Sequence, residues 1–162
     1  MDCPTILFVR QMNRLWGDSE LNSRRAHLDE ILPLRHRVLR SGFPVDAARF
    51  SEDSDARTLH YGLFDATDAR VCLTLIPNEL NGEKAWQLRG MAADVAVQGM
   101  GLGGQLIQFA LRDALTEGYS TIFWCNARKA AVSFYVKNGW KVISEEFEVP
   151  IFGPHYRMEN SI

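Results

Sequence analysis

Residues 95–115 read "VAVQGMGLGGQLIQFALRDAL", and the glycines in this stretch fit two patterns at once. As G-x-G-x-x-G, Gly99, Gly101 and Gly104 would make a dinucleotide fingerprint. As Q-x-x-G-x-G, Gln98, Gly101 and Gly103 would make a phosphate loop at the start of a helix. The chemistry is shared: consecutive main-chain N–H groups at a helix N-terminus attract an anion, and glycines let the backbone approach a pyrophosphate with no Cβ in the way. The dinucleotide pattern also requires the first βα turn of a doubly wound sheet and an acidic residue about 20 positions later for the ribose. At least three strand candidates precede this loop, "FWCNA" stands at that distance, and too little chain follows Gly104 for the rest of such a sheet. An NAD site is therefore disfavoured, and the Q-x-x-G-x-G pattern is retained.

The elements that must hold this loop follow from hydrophobic periodicity. "TILFVRQM" (Thr5–Met12) predicts a strand, followed by a polar connector through Asn22 and Ser23. A helix is expected within residues 24–40, capped by Asp29 with Pro33 in or near the first turn, and with Ile31, Leu34 and Val38 on one face. Residues 41–58 form an acidic, turn-rich loop. Three strands follow, at 59–65, 70–77 and 84–97, joined by turns short enough for antiparallel hairpins. After Gly101 the pattern turns helical, with Leu102, Leu106, Phe109, Ala110 and Leu115 on one side and Gly118 ending it. A short apolar strand (120–126), a second helix "ARKAAVSFYVKN" stopping at Gly139, and the strands "WKVISEEFEVP" and "HYRMENSI" complete the chain. This order predicts an α/β fold in one domain spanning 1–162. Its central sheet is mixed and largely antiparallel, with a parallel βαβ unit over residues 84–126.

Composition narrows the partners. Eighteen Lys plus Arg against twenty Asp plus Glu give a net charge of -2, so no general nucleic-acid or membrane surface is indicated and the partners are expected to be small. Cys3, Cys72 and Cys125 are widely spaced, with no C-x-x-C and no His cluster, so no metal site is expected and the thiols suit a reducing compartment. The apolar run Ile6–Val9 is short and preceded by Asp2, unlike a signal peptide. No stretch approaches the ~18 apolar residues of a spanning helix, and a cytoplasmic location is expected.

Beyond the loop itself, "LRGMAADVAVQGMGLGGQLIQFAL" resembles the central strand, pyrophosphate loop and following helix of the GNAT superfamily of acyl-CoA-dependent N-acyltransferases. "WCNARKAAVSFYVKNGWKV" resembles that family's A-x-x-x-Y-x-x-x-G-[FW] segment, through Ala131, Tyr135, Gly139 and Trp140. The likeness extends over residues 28–158, and "FEVPIFGPHYRM" is similar to the end of a subgroup of small members. The resemblance implies a GNAT-like fold, acetyl-CoA as co-substrate without metal, and acetyl transfer to the primary amine of a small acceptor by direct attack in a ternary complex. It implies that backbone amides around Gln98, Gly99, Met100, Gly101, Leu102 and Gly103 bind the CoA pyrophosphate. Main-chain groups near Met91 and Ala93 would pair with the pantetheine arm, and "AAD" (92–94) would carry a bulge that splays this strand from the next. Tyr135 matches the tyrosine that protonates the departing thiolate in many members. One departure is Arg128, which stands where the family often has asparagine, with Asn126 two residues earlier. Arg128 is open between a CoA phosphate, an acidic substrate group and a surface salt bridge.

An attacking amine is mostly protonated at neutral pH and needs a base. Asp94, His60, His155, Glu145 and Glu146 are the candidates, and no spacing singles one out. Asp94 is as well suited to capping or bracing the bulge as to catalysis. His36 and His60 lie in apolar-periodic segments and read as packing residues, as do Trp86, Trp124 and Trp140. Cys125 has no base spaced to activate it, so a packed thiol is expected rather than a nucleophile. The acidic "FSEDSD" (50–55) is either a lure for a cationic amine or a solvated loop. The alternative to an enzyme is a catalytically inactive acyl-CoA-binding sensor or interaction module on the same fold. Edge strands at the C-terminus leave a homodimer open.

Overall fold

A computed structural model describes residues 20–162. The strand expected at Thr5–Met12, and Cys3, lie outside the described residues. Three strands follow one another as antiparallel neighbours: β2 (Leu59–Phe64), β3 (Ala69–Leu80) and β4 (Glu83–Ala93). The β3–β4 turn consists of Asn81 and Gly82, both at positive φ (52° and 82°), which gives the hairpin a twist matching that of its strands. Both strands therefore run further into the "NELNGE" segment than expected.

Ahead of these strands lie β1 (Asn22–Ala26) and α1 (Leu28–Leu39). The connector and early helix expected here are replaced by a strand paired antiparallel with β2. "NSRRA" has no apolar alternation, so its conformation is set from outside. Its backbone bonds to β2, and Arg25 pairs with Glu117 at 2.6 Å. The helix then starts at Leu28, and its N-cap is His27 rather than Asp29. The Glu30 carboxylate accepts from the His27 N–H at 2.8 Å, closing the first turn. Pro33 sits in the second turn, on the exposed side. A proline there costs up to about 3 kcal/mol. Burial of Ile31 and Leu34 against Phe64, Cys72 and Ala92 offsets it, at roughly 1.5–3 kcal/mol per side chain.

After β4 come a 3₁₀ turn (Val95–Val97), α2 (Leu102–Leu115), β5 (Ile122–Arg128), a second 3₁₀ turn (Lys129–Ala131) leading into the short α3 (Val132–Lys137), and β6 (Lys141–Val142), β7 (Phe147–Val149) and β8 (Gly153–Ser161). Two expected elements shrink: β5 extends to Arg128 at the expense of the second helix, and "WKVISEEFEVP" breaks into β6 and β7. The eight strands form one sheet in the order β1-β2-β3-β4-β5-β8-β6, with β7 also on β8. Among the described residues only β4 and β5 pair in parallel, so the architecture is the expected mixed, mostly antiparallel α/β sheet.

Side-chain alternation assigns each strand residue a face. Trp86 and Leu88 of β4, and Phe123, Cys125 and Ala127 of β5, pack into the core under α2. Arg89, Asn126 and Arg128 therefore point to the α1 side. Opposite Leu73 of β3, β4 carries two residues, Gly90 and Met91, because the register passes from Cys72↔Ala92 to Thr74↔Arg89. This bulge lies just before the Ala92–Asp94 stretch where the sequence suggested one. Its signal is Gly90, at φ 64°, where a Cβ would come within 2.9 Å of Arg35 Nε. Beyond Trp86↔Phe123 and Gln87↔Trp124, β4 and β5 are no longer paired and the sheet opens.

Candidate active site

The opening between β4 and β5 holds a cavity of about 400 Å³. Gln87–Met91 form one wall and Asn126–Arg128 the other. Phe134 and Tyr135 of α3 close it on the α2 side. Arg40 at the end of α1, Phe50, Phe152 and His155 line the α1 side. Sequence spacing gave no hint of Arg40, Phe50 or Phe152, because they come from a helix end and two loops that only the fold brings together.

The glycine loop is built by alternate anchoring. Met100 and Leu102 pack into the core, while Gln98, Gly99 and Gly101 are exposed. Gly99 and Gly101 adopt left-handed conformations (φ 79° and 77°), and Gly101 is the N-cap of α2, with no side chain capping it. The first-turn N–H groups of α2 thus have no intrahelical partner and carry the positive end of the helix dipole. A Cβ on Gly99 or Gly101 would meet nothing, so backbone conformation rather than crowding selects glycine there. Gly103 is different: a Cβ would lie 3.1 Å from the Phe134 ring and 3.2 Å from Met91 Cε. Both neighbours line the cavity, so the amide-rich turn lies behind its wall, against these two side chains. The Gln98 side-chain amide donates to the Ala93 carbonyl at 3.0 Å, tying the loop to β4. That carbonyl is therefore already engaged within the chain.

Tyr135 is buried at the cavity wall, edge-on to Trp140 with ring centroids 5.4 Å apart. Burial first, then the neighbouring Cys125 thiol, pushes its phenol well above the ordinary value. Cys125 is itself a buried thiol pushed up to about 12 by burial, with Tyr135 partly opposing. His155, 7% exposed, bonds through Nδ1 to the Gly153 carbonyl at 2.8 Å. A carbonyl can only accept, so Nδ1 carries the proton and the neutral ring keeps its lone pair on Nε2.

The other base candidates lie elsewhere. Asp94 lines a separate hollow beside Arg37 and Arg70. Its carboxylate caps the 3₁₀ turn through the Ala96 N–H (3.1 Å) and pairs with Arg37 (3.0 Å) and Arg70 (3.2 Å). Burial works to raise this carboxyl, but those three partners outweigh it and hold it below the usual carboxylate range. His60 is buried against Thr74 at 2.8 Å, and burial lowers its ring below the ordinary value. Glu146 is tied to Tyr156 and Lys129 on the surface, and Glu145 is exposed. Trp86, Trp124 and Trp140 are core residues, as expected.

The fold is that of a known class. A family model for the acetyltransferase (GNAT) domain matches residues 48–159, more than half of the chain. The chain belongs to the GNAT acetyltransferase family. This GNAT protein is 28% identical over 145 residues to YitI, an uncharacterized N-acetyltransferase of Bacillus subtilis (strain 168), an alignment covering 88% of this chain and 97% of YitI. The crystal structure of Escherichia coli ElaA superposes with a TM-score of 0.73 at 17% identity, covering 88% of this chain and 100% of ElaA. An aminoglycoside 6'-N-acetyltransferase complexed with coenzyme A superposes with a TM-score of 0.70 at 12% identity, covering 86% of this chain and 96% of that one. Those two likenesses establish the GNAT fold. Family membership makes the protein an acyltransferase acting with acyl-CoA. Among the described residues, no helix is long and apolar enough to cross a membrane, and no group of three or more His, Cys, Asp or Glu has the arrangement of a metal site.

Proposed function

We propose that this GNAT enzyme transfers an acetyl group from acetyl-CoA to the primary amine of a small acceptor by direct attack in a ternary complex. One observation carries this: the uncapped, glycine-lined start of α2 abuts the β4–β5 opening through Gly103, Met91 and Phe134. The backbone amides of Gln98, Gly99, Gly101, Leu102 and Gly103 fit a pyrophosphate, while that of Met100 already donates to the Val97 carbonyl at 3.3 Å. The unpaired edge of β4 at Met91 offers main-chain partners to the pantetheine arm, and Ala93 acts through its bond to Gln98.

The thioester supplies the acyl group, and CoA leaves as a thiol. Tyr135, fixed in its protonated form, is suited to giving the sulfur a proton. His155, with its Nε2 lone pair on the acceptor side, is suited to taking the proton from the amine. Asp94 then serves as a positioning residue, holding the turn before the phosphate loop. Cys125 argues against a covalent acyl-enzyme, because a thiol at about 12 has almost no thiolate at neutral pH. The free thiols Cys72 and Cys125 suit the cytoplasm, where acyl-CoA is made and used.

The test compares melting temperatures with acetyl-CoA and with NAD, then screens amines for thiol release. Stabilisation by acetyl-CoA and amine-dependent thiol release are expected. Stabilisation by NAD alone would return the loop to the dinucleotide pattern.

A further inference from the structure

The α1 side of the opening is cationic. Among the described residues no Asp or Glu lines the cavity, whereas Arg40, Arg89 and Arg128 do. Arg128 points to this side because Phe123, Cys125 and Ala127 of the same strand point to the other. Arg40 reaches the same place from the C-terminal end of α1. Its guanidinium carbon stands 4.2 Å from the Phe152 ring centroid, and that of Arg128 stands 5.5 Å from the same centroid. Two guanidiniums thus share one aromatic ring, and among the described residues neither meets a carboxylate. Among the described residues the Arg40 guanidinium donates only to the adjacent Leu39 carbonyl, at 2.9 Å.

The arginines around them are answered. Arg35 pairs with Asp53 at 2.8 Å, Arg89 with Glu52 at 3.4 Å, and Arg57 with Asp55 at 2.8 Å. The acidic loop at 50–55 therefore has its charge matched by arginines of this chain and is a poor lure for a cationic amine. Like charges held together in a partly desolvated cleft are unfavourable until an anion joins them. Burial first, and then Arg128, Arg89 and Arg35, push the Arg40 guanidinium below its ordinary value. The start of α2, proposed above for the pyrophosphate, lies on the other side of the sheet, so the anion these arginines await is assigned to the acceptor.

We propose that the acceptor is an amine that also bears a carboxylate or phosphate group, clasped by Arg40 and Arg128 beside Phe152. His155 is the cross-strand partner of Arg128, so an amine a few bonds from that anion reaches the imidazole. The proposal rests on the acyltransferase function put forward above.

The experiment measures thiol release from acetyl-CoA with matched acceptors: amino acids against their amides, and phosphoethanolamine against ethanolamine. Wild type, Arg40→Ala, Arg128→Ala and Arg128→Lys are compared, with the acetyl-CoA thermal shift recorded for each. The anionic member of one series should be preferred by roughly tenfold or more in kcat/KM, and the series showing it distinguishes carboxylate from phosphate. Each alanine variant should collapse that preference through KM while keeping the thermal shift, and Arg128→Lys should restore part of it. Equal use of anionic and neutral acceptors, or a preference that survives both alanine substitutions, overturns the anion site and leaves the acyltransferase function standing. Loss of the acetyl-CoA shift in the alanine variants also overturns the proposal, since the arginines would then serve CoA. No turnover of any amine, beside an intact acetyl-CoA shift, defeats the acyltransferase function itself and the anion site with it. Should an alanine variant fail to fold, the wild-type preference decides.

Discussion

Tyr135 and Cys125 are neighbours beneath the point where β5 leaves β4, and both are held protonated. A phenol in that state can donate to a leaving sulfur but cannot serve as a base. Tyr135→Phe should therefore slow acetyl transfer by about 10²- to 10⁴-fold, the usual range for a general acid, while the acetyl-CoA thermal shift persists. An undiminished rate would reduce Tyr135 to a packing residue against Trp140.

Cys125 supports the opposite expectation. Its burial and raised value leave it unreactive, so Cys125→Ala should retain transfer within a few-fold, and Cys125 itself should resist alkylation, followed by mass spectrometry, until the protein unfolds. A dead Cys125→Ala variant that still melts cooperatively would point to a covalent acyl-enzyme instead.

Much of this site was legible in the sequence where local chemistry fixes it. Gly99 and Gly101 occupy left-handed positions that favour glycine, and Asn81-Gly82 is a local hairpin signal, so the loop and the antiparallel run could be read directly. The strand β1 could not be read. Its residues Arg24 and Arg25 owe their conformation to pairing with Gly62 and Tyr61, and Arg25 also to ion pairs far along the chain, with Asp113 and Glu117. The choice of base was hidden for a similar reason. A lone His acquires a defined tautomer only when a carbonyl, here that of Gly153, is folded against it, and Asp94 is drawn away from the cavity by two arginines that no spacing rule connects to it.

Gly101→Glu tests the phosphate loop. The left-handed backbone at φ 77° costs a side chain roughly 1–2 kcal/mol, which lowers the melting temperature of a chain this size by several degrees. No atom lies where the Cβ would go, so the fold should survive. The new carboxylate would face the site meant for pyrophosphate, and acetyl-CoA should no longer stabilise the protein. Unchanged affinity by calorimetry would remove the loop assignment.

His155 and Asp94 should separate by kinetic signature. His155→Ala should lower kcat by about 10²-fold with acetyl-CoA binding retained, as loss of a general base requires. Asp94→Asn keeps the shape but weakens the pairing to Arg37 and Arg70, so its effect should appear in acetyl-CoA affinity and melting temperature, with little change in kcat. The reverse pattern would restore Asp94 to the catalytic role.

Acid stability offers a test independent of any substrate. Arg70 joins Asp65 (2.7 Å) and Asp94 (3.2 Å), bracing the β2–β3 turn against the end of β4. Burial works to raise the Asp65 carboxyl, but the Asp68 and Thr67 amides and Arg70 overcome it and bring it down to about 2. A depressed carboxyl stabilises the fold above its unfolded value, near about 4, and that stabilisation is lost as pH falls from there toward the folded value. Asp65→Asn should therefore melt below the wild type at neutral pH, and the gap should narrow as pH drops from about 5 toward about 2.5. A gap that stays constant across that window would mean that Asp65 acts through turn geometry alone, with its charge and Arg70 contributing nothing.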